Sequence, residues 1–181
     1  MSESPTQATD ATTPAVRTGR WILDPTRSSF ALRHKTLWGL VTVKGTFADL
    51  AGEGEVQPDG TARGALTIAA SSLDTGHAKR DVHLRSADFF DTEEHPAIGY
   101  TARHAEIDAR GKVEVTGELT VRGVTQPLNV AADIARAGDA VTLSAETTVD
   151  RAAFGLTWNK LGMLTGRTTV TVTAHFTPAS S

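Results

Sequence analysis

The sequence predicts an all-β fold: an antiparallel, closed β-barrel of about eight strands, with one short helix near 77–90 across a barrel end. Three observations predict it. Apolar and polar residues alternate with a period of two from Arg20 onward, the pattern of strands dry on one face and wet on the other. Turn residues punctuate the runs, as in Pro58-Asp59-Gly60, Arg110-Gly111 and Ala137-Gly138-Asp139. One stretch, "KRDVHLRSADFFD" (79–91), breaks the alternation and gathers charges around a Phe pair. A meander of this kind must hide its edges, and it does so by closing into a barrel or folding into a sandwich.

Residues 1–19 are rich in Ser, Thr, Ala and Pro and read as a disordered arm, with too little apolar surface to offset ordering entropy. They contain no apolar core of a secretory signal, so the expected location is the cytoplasm. The folded domain is expected over 20–177, with 178–181 frayed. After a short lead-in at "RWILD", "RSSFALRHK" sets Phe30, Leu32 and His34 on one face. "VTVKGTF" aligns Val41, Val43 and Phe47; "GALTIAAS" aligns Leu66, Ile68 and Ala70; "AIGYTARH" aligns Ile98 and Tyr100. "VEVTGELTVRG" alternates most clearly, with Val113, Val115, Leu119 and Val121 on one side. Val124, Leu128, Val130, Ala132 and Ile134 follow, then Val141, Leu143, Ala145 and Val149, then Val170, Val172, Ala174 and Phe176. Pro127 requires a strand edge or a bulge.

Composition bounds the function. The 181 residues are 39% hydrophobic with a formal charge of −3, which offers no basic surplus for nucleic acid. Cysteine is absent, so there is neither a disulfide framework nor thiolate chemistry. No apolar run approaches the roughly 20 residues of a membrane-spanning helix. No metal site is expected: His77 and His83 lie six apart in the sequence, not at the i,i+4 spacing of a helical zinc pair. No catalytic residue is assigned either, since Ser28, His34 and Asp24 come without a nucleophile-elbow motif.

The inward lists are mostly aliphatic and contain small residues, among them Gly45, Ala70, Gly117, Ala132, Ala145 and Ala174. A barrel of this size either holds a small apolar ligand or interleaves large and small residues into a filled core. In the insert, Asp74 or Thr75 is placed to cap a helix. Val82, Leu84 and Phe89 would seal the barrel end, with Arg80 and Asp81 on the polar side. Its charges are either surface ties worth little each or a mouth in which Arg80, His83 and Arg85 meet an anionic or polar head group. Two further stretches, "HKTLWGLV" (34–41) and "DRAAFGLTWNKLGMLTG" (150–166), are too apolar for plain surface loops. A ligand in the interior would thus meet Phe30, Leu32, His34, Trp38, Phe47, Arg80, His83, Arg85, Phe89, Phe90, Tyr100, Phe154 and Trp158.

"WILDPTRSSFALRH", "VKGTF", "LDTGHAKRDVHLRSADFFDTEEHPAI", "VTGELTVRGVTQPL" and "TVDRAAFGLTWN" occur in this order over about 20–177. In this the chain resembles the YceI-like, polyisoprenoid-binding family. The resemblance implies a lipocalin-like barrel whose elongated interior holds a polyisoprenoid lipid, such as an isoprenoid quinone or a polyprenyl phosphate. It implies no catalysis and no cofactor beyond the bound lipid. On this reading the protein sequesters or transports the lipid, with transient membrane contact for exchange; a homodimer is compatible with it. Arg27-Ser28 stands where the family often has His-Ser. The alternatives are an enzyme using His34 or His83 as general base, and a filled-core interaction module.

Overall fold

A single twelve-stranded sheet returns on itself. The computed structural model describes residues 15–36, 39–157 and 164–180. The strands are β1 (Gly19–Leu23), β2 (Ser29–Thr36), β3 (Val41–Phe47), β4 (Leu50–Val56), β5 (Ala62–Ala69), β6 (Leu73–Asp74), β7 (Ala97–Ile107), β8 (Lys112–Val121), β9 (Val124–Pro127), β10 (Val130–Ala137), β11 (Ala140–Asp150) and β12 (Leu164–Pro178). The path β1-β4-β5-β7-β8-β10-β11-β12 closes when β12 pairs back onto β1, giving an antiparallel barrel of eight staves. Four staves are interrupted by a bend: β2 prolongs β1 beside β12, β3 prolongs β4 beside β2, β6 prolongs β5 beside β3, and β9 leads into β10 beside β8. We call the end carrying β2, β3 and β6 the upper end.

The bends explain why twelve elements make eight staves. Between β1 and β2 the Asp24 carboxylate accepts from the Thr26 amide at 2.9 Å and its hydroxyl at 2.6 Å, closing a turn. The Ser28 hydroxyl then donates to the Asp24 carbonyl and accepts from the His175 amide on β12. A side chain thereby replaces the missing ladder partner, and the sheet bends without an orphaned donor. Elsewhere the alternation is interrupted by irregularities where β5 and β8 pair with β7. Between β8 and β9, Arg122 (φ 50°) and Gly123 (φ 72°) form a two-residue turn with both central φ angles positive, matched to the strand twist.

At the upper end β6 is the last strand of the path, and the chain leaves the sheet as helix α1 (Ala78–Arg85) before returning as β7. The helix is shorter than the expected 77–90. His77, and neither Asp74 nor Thr75, caps it. Ser86 ends it, with its hydroxyl on the His83 carbonyl. Val82 is 68% exposed and seals nothing, whereas Asp81 is buried and accepts from the Thr75 amide and hydroxyl. The end is plugged instead by Leu84 and by Phe89 and Phe90, which lie beyond the helix and join the core through Phe47. Val41 and Val124, expected inward, are also exposed.

The ends of the domain lie further out than expected. Residues 1–14 fall outside the described residues, but Val16 packs on a lower cluster of Trp21, Val56 and Val141. The Trp21 indole N–H donates to the Arg17 carbonyl at 3.0 Å, and Gly19 belongs to β1. At the other terminus Pro178 belongs to β12, and the Ala179 amide donates to the Arg20 carbonyl. Neither 15–19 nor 178–179 is a free tail.

Candidate functional site

Inward side chains do not fill the barrel. Leu66, Val115, Val130, Leu143, Ala145 and Val172 point inside yet keep part of their surface accessible, because they face the lower of two internal cavities. The lower cavity, about 250 Å³, lies inside the closed staves. Its walls are almost wholly apolar and include Ala132, Ala145 and Ala174. The other expected small positions do different work. Ala70 is packed in the core. The space over Gly45 is taken by Leu73, Thr75 and Leu32, and the space over Gly117 by the Tyr100 ring, whose hydroxyl donates to the Leu128 carbonyl at 2.9 Å. Tyr100 itself lines the lower cavity, and burial pushes its phenol pKa up.

The upper cavity, about 490 Å³, lies between β2, β3, the helix and the turn after β11. Phe30, Leu119, Val149 and Val170 line both cavities and form the waist between them. Leu32, His34, Phe47, Arg80, His83, Phe89, Phe90 and Phe154 all reach the upper cavity. Arg85 does not: its Nη2 donates to the Leu73 carbonyl, holding the helix to β6. Trp38 and Trp158 lie outside the described residues.

The upper cavity has a distinct charge. Among the described residues its lining includes Lys79, Arg80 and Arg151 with His34, His77 and His83, and no Asp or Glu. Arg80 is oriented by two hydrogen bonds, Nε to the Thr75 hydroxyl at 2.7 Å and Nη2 to the Thr75 carbonyl at 2.8 Å. His83 lies 3.5 Å from Asp88. Thr75 in turn bonds Asp81, so the buried carboxylate positions the arginine without facing the cavity.

Arg151 is the residue that sequence reasoning missed. It is only 7% exposed, in the short 3-10 turn Arg151–Phe154 after β11, and its Nη1 donates to the Leu156 carbonyl at 2.9 Å. Asp150 caps that turn by accepting from the Ala152 amide, and Gly155, at φ 74°, ends it. Burial lowers the guanidinium pKa, and the Asp150 charge opposes that shift. The turn swings the arginine inward, and only the cap-and-glycine pair "DRAAFG" could have signalled it.

Protein YceI of Escherichia coli O157:H7 is 35% identical over 113 residues, 61% of this chain and 57% of that protein. UPF0312 protein plu2095 of Photorhabdus laumondii is 40% identical over 107 residues, 58% of this chain and 54% of that protein. The matched segment thus spans little more than half of these relatives. Among solved structures, Burkholderia cenocepacia BcnA superposes with a TM-score of 0.77 at 19% identity, covering 84% of this chain and 98% of that one. A polyisoprenoid binding domain from Saccharophagus degradans gives a TM-score of 0.71 at 16% identity, covering 90% and 100%. These likenesses are of fold. The model of the YceI-like domain matches residues 21–177, nearly all of the barrel, and the chain therefore belongs to the YceI-like family.

Proposed function

We propose that the barrel binds an amphipathic polyisoprenoid lipid, tail downward and head upward, and sequesters or ferries it. The observation that carries this reading is the polarity of the interior. An almost wholly apolar lower cavity adjoins, at an apolar waist, an upper one whose mostly apolar lining also carries Lys79, Arg80, Arg151 and three histidines and, among the described residues, no carboxylate. Each CH₂ moved from water into such walls contributes roughly 0.8 kcal/mol, so a tail is held with few directed contacts. Arg80 and Arg151 favour a head group that accepts hydrogen bonds, and a phosphate above all. The polyisoprenoid binding domain of similar fold supports the choice of tail. In this reading the protein is a carrier and not a catalyst, needs no cofactor, and touches a membrane only while exchanging lipid.

Organic extraction of freshly purified protein, followed by mass spectrometry, tests the reading. An isoprenoid lipid should be recovered, or taken up when offered to delipidated, refolded protein. Refolded protein that takes up neither a polyprenyl phosphate nor an isoprenoid quinone would overturn it.

A further inference from the structure

We infer that the barrel measures the length of its ligand's tail, with the waist as an inlet and the Trp21 floor as a stop. The inference rests on the lipid-binding reading above and adds a specificity to it. Phe30, Leu119, Val149 and Val170 line both cavities, so a tail running from the upper one into the lower one passes among them. Ala132 and Ala145 are directly opposed partners on β10 and β11, and both face the lower cavity. The far end is different. Trp21 is buried there against Val56 and Val141, and its indole N–H is tied to the Arg17 carbonyl. A large ring held by packing and by a hydrogen bond does not swing aside as an unanchored side chain would.

Volume sets the scale. An apolar cavity of about 150 Å³ takes one benzene, six carbons. By that measure the lower cavity of about 250 Å³ takes roughly ten carbons, or two isoprene units. The upper one, about 490 Å³, has room for roughly four more, less whatever the head group occupies. Each unit that reaches apolar wall adds affinity. A unit beyond the floor's limit must stay in water or push the head out of the mouth, and adds none.

The test is a length series of linear all-trans isoprenoid alcohols, from two to nine units, titrated against the full chain. Affinity should rise by roughly tenfold or more per unit, then stop rising at about four to six units. Ala145→Phe puts a six-carbon ring into the lower cavity and should bring the break about one unit shorter. Ala132→Leu should move it the same way, and serves if the first variant does not fold. Trp21→Ala removes the stop and should move the break to longer tails. General damage would weaken all lengths without moving the break, so opposite shifts from the two kinds of variant separate a ruler from a weakened barrel. Affinity that keeps rising to nine units in the unaltered protein, or a break that stays put in all the variants, overturns the ruler and leaves lipid binding standing. Failure of every alcohol and of the corresponding phosphates to bind overturns both.

Discussion

His34 on β2 and Thr168 on β12 are directly opposed, and their side chains meet, Nδ1 to Oγ1, at 2.8 Å. The other ring nitrogen of His34 is buried with no hydrogen-bond partner among the described residues. Burial above all, and then the charge of Arg151, lower its pKa from the ordinary 6.5; a backbone hydrogen bond with Arg167 works the other way. The neutral ring is therefore the form the fold prefers.

Stability should follow. Between the folded pKa and 6.5 the unfolded chain binds more protons at this residue than the folded chain does. The contribution of His34 is thus complete above pH 6.5 and is lost as the pH falls through the folded pKa. Denaturant unfolding from pH 7.5 down to 5 should show a decline that His34→Gln, which keeps a hydrogen-bonding group toward Thr168, makes shallower. Identical slopes for the two proteins would show that His34 is not desolvated.

Arg80 and Arg85 look interchangeable in the sequence and have different work in the structure. Arg80 lines the upper cavity, while Arg85 spends its Nη2 on the Leu73 carbonyl. Arg85→Ala should cost about 1–3 kcal/mol, the penalty of an unpaired buried carbonyl, and should weaken all ligands alike. Arg80→Ala should weaken a polyprenyl phosphate more than the alcohol with the same tail. Competition binding with the two lipids decides it: equal loss in Arg80→Ala would assign both arginines to structure alone.

The staves were legible because one wet face and one dry face impose a period of two, and Val113 through Val121 carry it without interruption. The bend between β1 and β2 was not. It depends on what Asp24 and Ser28 do as side chains, and neither changes the alternation. The expected extent of the helix rests on spacing, which carries the helical stripe through Phe89. Ser86 stops the helix before that, so Val82 turns out to solvent while the two phenylalanines enter the core from a turn. Arg151 was illegible for the opposite reason. An arginine after a strand reads as surface, and only the three-dimensional path of the Arg151–Phe154 turn brings it inside.

That difference between Val82 and Phe90 can be measured. Phe90 is buried, with its ring edge-on to Phe47 at 6.3 Å and to Phe89 at 5.2 Å. Phe90→Ala should cost about 3–5 kcal/mol. Val82→Ser, at an exposed helix position, should stay within about 0.5 kcal/mol of the unaltered protein. Chemical denaturation gives both values. A Val82→Ser loss as large as that of Phe90→Ala would mean that the helix packs on the barrel through its Val82 face.

The segment before β1 offers the last prediction. Val16 rests on Trp21, and Arg17 supplies the carbonyl that the indole N–H requires. A chain starting at residue 15 keeps both contacts, and one starting at residue 19 keeps neither. The second should be less stable by about 1–3 kcal/mol, from lost apolar burial and a lost hydrogen bond. Water can reach the freed indole N–H, which keeps the cost below that of a buried orphan. In a domain of this size the loss corresponds to a melting temperature lower by roughly 2–12 °C. Val16→Ser in the full chain isolates the packing part and should give a smaller drop in the same direction. Equal melting temperatures for the two truncated chains would mean that residues 15–18 lie loosely on the barrel, and that Trp21 closes its lower end unaided.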